Sequence, residues 1–492
     1  MDADTERAIA DFLRGIQRRD TIPGISVAVV DAADPVTHPS DDPAAYADGF
    51  GARDLAGNRP ATADTLYGVG SVTQPITATA VLQLSASGLL DLDDPVTDHL
   101  DLDLGRDAVE TDAESDGEAA AGNDAEPEPI RLRHLLAHTS GLPTLGLREA
   151  LLARRLRIGT DTVPLSDWAD VRAYIEDGAT ERLAPPGERF ARCDAGYVLL
   201  GRVIEECTGR SFAEAVTEHL FDPLGLDRAT FDDTEFSLDD DHMTQYLQEE
   251  GEPTAASLPT ADLTRSATGL LASVRHLGAF LWLQLNEGTY AGREVIDGEC
   301  LASAHDTRRE TPHGGVRYGS HGGVGYGWRT RTVCDRELVG IAGDIAVSSA
   351  YMGFAPAEGV GVAVAANTAP DYSLAALGHG VFACVLGENP YDTVPSLARR
   401  RRFARLTGEY VSHTGGRRAT VCRDGGTLRI EYESALGVDG EPLVPDPEGG
   451  PYEFSTLDDS GGRHAVVFDP ERDPTTVVVD GWRFRRVSAL PE

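Results

Sequence analysis

The hydrophobic pattern of this 492-residue chain changes character once, near the basic run Arg399–Arg402. Upstream, apolar residues three and four apart alternate with short, nearly continuous apolar runs. Glu6–Arg19 places Ile9, Phe12, Leu13 and Ile16 on one helical face, and Val72–Ser87 does the same with Ile76, Ala80 and Leu84 before Gly88 stops it. Further helices are predicted from Ile130, with Leu132, Leu135 and Leu136 inward, and at Ala169–Glu176, Tyr197–Thr208, Ser273–Leu285 and Leu374–Leu386. Strands are predicted at Ile25–Val30, Tyr46–Phe50, Gly325–Arg331, Ala346–Phe354 and Gly361–Ala366. Downstream only strand and turn remain. Leu428, Ile430 and Tyr432 alternate with Arg429 and Glu431, and Val477–Val479 turns at Asp480-Gly481 into Trp482–Arg485. The expected organisation is a mixed domain over 1–386, a proline-bearing linker over 387–404 and a small all-β barrel over 405–492.

Within the first domain, 101–129 breaks the pattern. It holds eleven carboxylates and one Arg with almost no large apolar residue, so it cannot offset its ordering entropy and is expected to be a disordered acidic insertion. The same bias runs through the whole chain. Asp and Glu number 81 against 43 basic residues, all of them Arg, for a net charge of −38. Such a field repels phosphate backbones and anionic headgroups, which excludes nucleic acid and membrane insertion as expected partners. It suits a surface kept soluble at high salt, as in a halophilic archaeon. The absence of lysine also removes every mechanism that requires a lysine amine. The first residues, Met1-Asp2-Ala3-Asp4, lack the basic and apolar regions of a leader, so a cytoplasmic location is expected. The six scattered cysteines form no C-x-x-C pair, and neither a disulfide framework, a metal site nor a cofactor is expected.

Several ordered segments then stand out: Gly49-Phe50-Gly51, Thr65-Leu66-Tyr67-Gly68-Val69-Gly70-Ser71-Val72-Thr73, Leu89–Val96, Arg131–Pro143 with His138-Thr139-Ser140-Gly141-Leu142-Pro143, Pro186–Phe190 and Ala195–Gly201. Together they resemble the serine β-lactamase/penicillin-binding-protein superfamily, on the branch of class C β-lactamases, D-Ala-D-Ala peptidases and related esterases. The resemblance implies an α/β (α+β) domain whose antiparallel sheet is flanked by helices and joined to an all-helical lobe. The C-terminal stretch resembles a lipocalin-like barrel.

The family's Ser-x-x-Lys reads Ser71-Val72-Thr73-Gln74 here, so the nucleophile position is kept while an amide replaces the amine. Its Tyr-x-Asn reads Arg192-Cys193-Asp194, and its third motif reads Ile341-Ala342-Gly343. Three motifs have each lost the residue that handles a proton. This suggests an inactive or strongly impaired homologue that binds a small-molecule or peptide-like ligand through Arg192 and Gln74. The competing expectation is an active esterase, amidase, peptidase or β-lactamase that uses Ser71 with a substitute base, Asp194 being the candidate. A structural reading has Ser71 capping its helix and Asp194 paired with Arg192 or Gln74. Tyr197 and His138 are read as scaffold, Cys193 as a poor nucleophile candidate, and His313 and His321 as solvated loop residues. Nothing in the sequence fixes the oligomeric state.

Overall fold

Every position of two strands, Ser349–Ala355 and Val360–Ala366, is buried, as expected of sheet covered on both faces. In the computed structural model, which describes residues 1–32, 43–104, 128–147, 150, 165–249, 252–258, 262–306, 309–310, 322–413, 415–434, 437–457 and 460–489, they lie in an antiparallel sheet. Among the described residues that sheet has nine strands. Its order is Arg309–Glu310, Gly322–Val324, Arg329–Val333, Arg336–Asp344, Ser349–Ala355, Val360–Ala366, Gly24–Asp31, Ala44–Asp54 and Arg59–Pro60. Closure between distant parts of the chain runs through Gly24–Asp31, which pairs Ile25 with Ala366 on one side and with Phe50 on the other.

Alternation along the strands sends neighbouring side chains to opposite faces. The helix Val274–Leu285 lies on one face, where Gly278 meets Val30 and Ala28 and Leu281 meets Gly361. On the other face, Tyr351 packs against Gly378 of the helix Ala375–Val385. A Cβ at Gly378 would lie 2.0 Å from the Tyr351 ring, so only glycine lets that helix settle here.

The helical lobe is organised by Thr73–Ala86, which buries every residue from Thr73 through Leu82 and leaves that stretch no exposed side. A helix buried all round is a central one. Leu132–Leu136, Trp168–Gly178, Asp194–Thr208 and Phe212–Val216 complete the lobe around one hydrophobic cluster.

The chain divides into two compact units, Met1–Gly387 and Glu388–Glu492. The second closes eight antiparallel strands into a barrel, from Gly408–Ser412 to Trp482–Ser488, whose end strands pair Tyr410 with Arg486. Leu428, Ile430, Val466, Val477 and Phe484 fill it.

Local differences from the sequence expectations have physical reasons. The expected linker is helical, Pro390–Thr393 and Pro395–Ala404, because proline suits the first helical turn. Phe403 and Leu406 join the barrel core. Of the strand expected at Gly325–Arg331 only 329–331 is strand; 325–328 is a turn that follows the separate strand Gly322–Val324, where Gly327 is left-handed and Tyr326 and Trp328 turn inward. The strand expected from Ala346 begins at Ser349, since Ala346 is itself left-handed. Of the expected acidic insertion, 105–127 lies outside the described residues, as do His313 and His321. The flanking Leu102 and Leu104 are buried.

Candidate active site

Ser71 occupies a tight turn, Gly70–Val72, that leads directly into the helix Thr73–Ala86. Gly70 is left-handed at φ +58°, and the Asp344 backbone leaves no room for a side chain there. Thr73 Oγ1 donates to the Gly70 carbonyl at 2.7 Å and fixes the turn. From the sheet side, Gly343 lies flush against it. A Cβ at Gly343 would stand 2.3 Å from the Val69 oxygen and 2.4 Å from the Ser71 nitrogen. Ser71 is thereby held at the junction of sheet and helical lobe. It makes no capping bond.

The lobe supplies the partners. Arg192 precedes the helix Asp194–Thr208, and its Nη2 donates to Ser71 Oγ at 2.7 Å. Its Nε lies 3.4 Å from Asp194 Oδ1. The same carboxylate oxygen accepts from Gln74 Nε2 at 3.0 Å. Gln74 Oε1 in turn lies 3.2 Å from His138 Nε2, and His138 Nδ1 accepts from the Cys193 backbone N–H at 3.2 Å. A ring nitrogen that accepts an N–H is unprotonated, so the proton sits on Nε2 and points at the Gln74 carbonyl. Ser71, Arg192, Asp194, Gln74 and His138 form one connected network.

His138 also fixes the loop that carries Arg192. It is left-handed at φ +53°, its carbonyl accepts from Ala191 N–H at 2.9 Å, and the Thr139 carbonyl accepts from Gly187 N–H at 2.7 Å. Burial holds the His138 imidazole at about 3, opposed by the Asp194 charge and assisted by those of Arg192 and Arg329. Burial pushes the Cys193 thiol up to about 11, which disfavours the thiolate a nucleophile would need. Tyr197 is fully buried and donates to the Leu136 carbonyl at 2.8 Å.

Of the positions singled out in the sequence, Ser71, Gln74, Arg192 and Asp194 meet in this network, and Gly343 backs Ser71. Ile341 does not join it: its side chain belongs to the hydrophobic cluster, with its strand partner Met352. Sequence reasoning treated His138 as scaffold and missed its bond to Gln74. It also missed Arg329, which lies over the Phe190 ring at 5.5 Å. Burial and the neighbouring Arg192 and Arg331 lower the Arg329 guanidinium to about 10, while Asp194 attracts it. Its position on the strand ahead of the third motif was the available signal. Among the described residues no group of three or more His, Cys, Asp or Glu side chains could hold a metal ion, and no helix is long and apolar enough to cross a membrane.

A nucleophile-position serine at the start of a buried helix, between an antiparallel sheet and a helical lobe, defines the serine β-lactamase/penicillin-binding-protein class of fold. The Beta-lactamase family model matches residues 9–381, and the chain belongs to that family. The Pab87 octamerisation domain model matches residues 390–485. Protein flp of Staphylococcus aureus (strain MW2) is 23% identical over 397 residues, covering 80% of this chain and 69% of that protein. Esterase EstB of Burkholderia gladioli is 35% identical over 182 residues, covering 36% of this chain and 41% of the esterase. The octameric penicillin-binding protein homologue from Pyrococcus abyssi superposes with a TM-score of 0.83 at 27% identity, over 98% of this chain and 100% of that one. A class C beta-lactamase shares the fold at a TM-score of 0.58 and 17% identity, over 77% of this chain and 96% of its own.

Proposed function

We propose that this chain is a β-lactamase-fold homologue whose acylation chemistry is absent or strongly impaired, and that the site around Ser71 binds a small anionic or amide-bearing, peptide-like ligand. One observation carries this reading: the guanidinium of Arg192 donates to Ser71 Oγ at 2.7 Å. A serine becomes a nucleophile when a neighbour accepts its proton, and a guanidinium has no acceptor. The Gln74 amide, one turn along the same helix, is no base either. Loss of one member of a comparable catalytic unit typically costs about 10⁴ to 10⁶ in rate. Arg192 and Arg329 together outweigh the single Asp194 charge, which favours an anionic group beside Ser71.

The test is covalent labelling at high salt with a fluorophosphonate and with a fluorescent penicillin, read by mass spectrometry. No adduct on Ser71 is expected. An adduct there that disappears in Ser71→Ala would establish the other reading, an active serine hydrolase with Asp194 as substitute base. Against that reading, Asp194 Oδ1 already accepts from Gln74 and faces Arg192.

The barrel unit is proposed to assemble copies of the chain, a reading supported by the octamerisation-domain match and by the octameric Pyrococcus abyssi homologue. We take the barrel as lipocalin-like on the resemblance of the C-terminal stretch, and, on the composition argument above, the chain as a salt-adapted cytoplasmic protein of a halophilic archaeon.

A further inference from the structure

Away from Ser71, the helix Asp194–Thr208 ends beside the short helix Val96–His99, and three reactive side chains line up there. Cys207 Sγ lies 3.6 Å from His99 Nδ1, and His99 Nε2 lies 2.9 Å from Asp94 Oδ2. Asp94 is itself fixed, because the same oxygen accepts the Asp91 N–H at 2.8 Å. That bond, with the one from His99, holds the Asp94 carboxyl below its ordinary range against the effect of burial. An ionised carboxylate can only accept, so Nε2 carries a proton, and in the neutral imidazole Nδ1 then presents its lone pair to the thiol. Nucleophile, base and orienting carboxylate therefore stand in one line at hydrogen-bonding distances.

We propose that Cys207 is a reactive thiol with His99 as its general base, and that it is a site of reversible oxidation by hydroperoxides. The Cys207 sulfur attacks one oxygen of hydrogen peroxide, an S–O bond forms and the O–O bond breaks. The thiol proton passes to His99 Nδ1 and then to the departing hydroxide, which leaves as water. Sulfur is oxidised by two electrons to the sulfenic acid and the peroxide is reduced. A small thiol can then condense with the sulfenic acid, releasing water and giving a mixed disulfide, and a second thiol restores Cys207.

The surroundings narrow the reagent. Burial, with the charges of Asp94 and Glu206, pushes the Cys207 thiol up, so the resting group is the thiol rather than a stored thiolate. Reaction then depends on proton removal during attack, the task of His99. The same acidic charges repel anions, so the site takes neutral electrophiles.

The full chain at high salt is treated with iodoacetamide, with iodoacetate and with peroxide plus dimedone, and each thiol is followed by peptide mass spectrometry. The half-buried Cys300 and Cys422 serve as comparison, and the buried Cys193 and Cys384 report that the fold is intact. Cys207 is expected to be the fastest of these thiols with iodoacetamide, to be slower with iodoacetate and to carry the dimedone adduct. His99→Gln is expected to slow it by about 10²-fold while leaving Cys300 unchanged. If wild-type Cys207 reacts no faster than Cys300 and Cys422, or if His99→Gln leaves its rate unaltered with Cys193 and Cys384 still protected, the proposal is overturned.

Discussion

Gln74 can be satisfied in one way only: its amide nitrogen donates to Asp194 and its oxygen receives His138. That arrangement requires a neutral imidazole with its proton on Nε2. His138 is one of several rings the fold holds neutral. Burial lowers His134, His276 and His305 to about 4, and His379, like His138, to about 3. In the unfolded chain these rings titrate near the ordinary value of about 6.5. Their contribution is therefore complete above that pH and is lost as pH falls toward the lowered values. At high salt, where carboxylate repulsion is screened, Tm is expected to fall between about pH 6.5 and 4. A Tm that rises over that window would show that these rings are not held neutral. Ser71, Gln74, Arg192 and Asp194 could be found in the sequence because the family motifs place them by spacing. The His138–Gln74 bond and the approach of Arg329 could not, since both arise where segments far apart in the chain are packed together.

At the scale of elements, the decisive contact is a strand lying against a turn. Gly343 lets Arg336–Asp344 touch the backbone of Val69 and Ser71. Gly343→Ala would drive a methyl group into backbone atoms that cannot swing aside, a destabilisation of about 1–3 kcal/mol or more. Gly15 is the matched control: it is exposed in the helix Ala3–Arg19 with open space around it. Gly15→Ala should stabilise by about 0.5–1 kcal/mol through helix propensity. Thermal unfolding of both variants at high salt checks the pair, and equal responses would refute the close-approach argument. Most helices and strands were legible from periodicity, because burial on one face leaves a regular trace. Breaks such as 325–328 left no such trace: Tyr326 and Trp328 continue a strand-like alternation through what is a turn. Nor does a proline announce whether it opens a helix, as Pro395 does, or interrupts one.

For the whole molecule, a net charge of −38 sets the terms. Raising salt from about 0.1 to 1 M shortens the screening length from ~10 to ~3 Å. Tm should climb across that range, and a flat response would remove the salt-adaptation reading. Light scattering on the same samples is expected to give a mass several-fold that of one chain at high salt. A single-chain mass under all conditions would end the proposal that the barrel assembles copies. The two-part organisation was visible in the sequence, because alternating strands need no helices to bury them. The role of the barrel was not visible there, because its inward residues are the generic apolar set that any small barrel uses.

Among the described residues, the barrel unit has no free strand edge to offer. The described sheet ends in two-residue strands, Arg59–Pro60 and Arg309–Glu310, one of them closed by a proline that cannot donate, and the barrel's first strand pairs with its last. Copies that meet through their barrels therefore cannot join by extending one another's ladders. Assembly through the barrel is written in side chains across faces, where an acidic surface makes recognition depend on the ions dissolved around it.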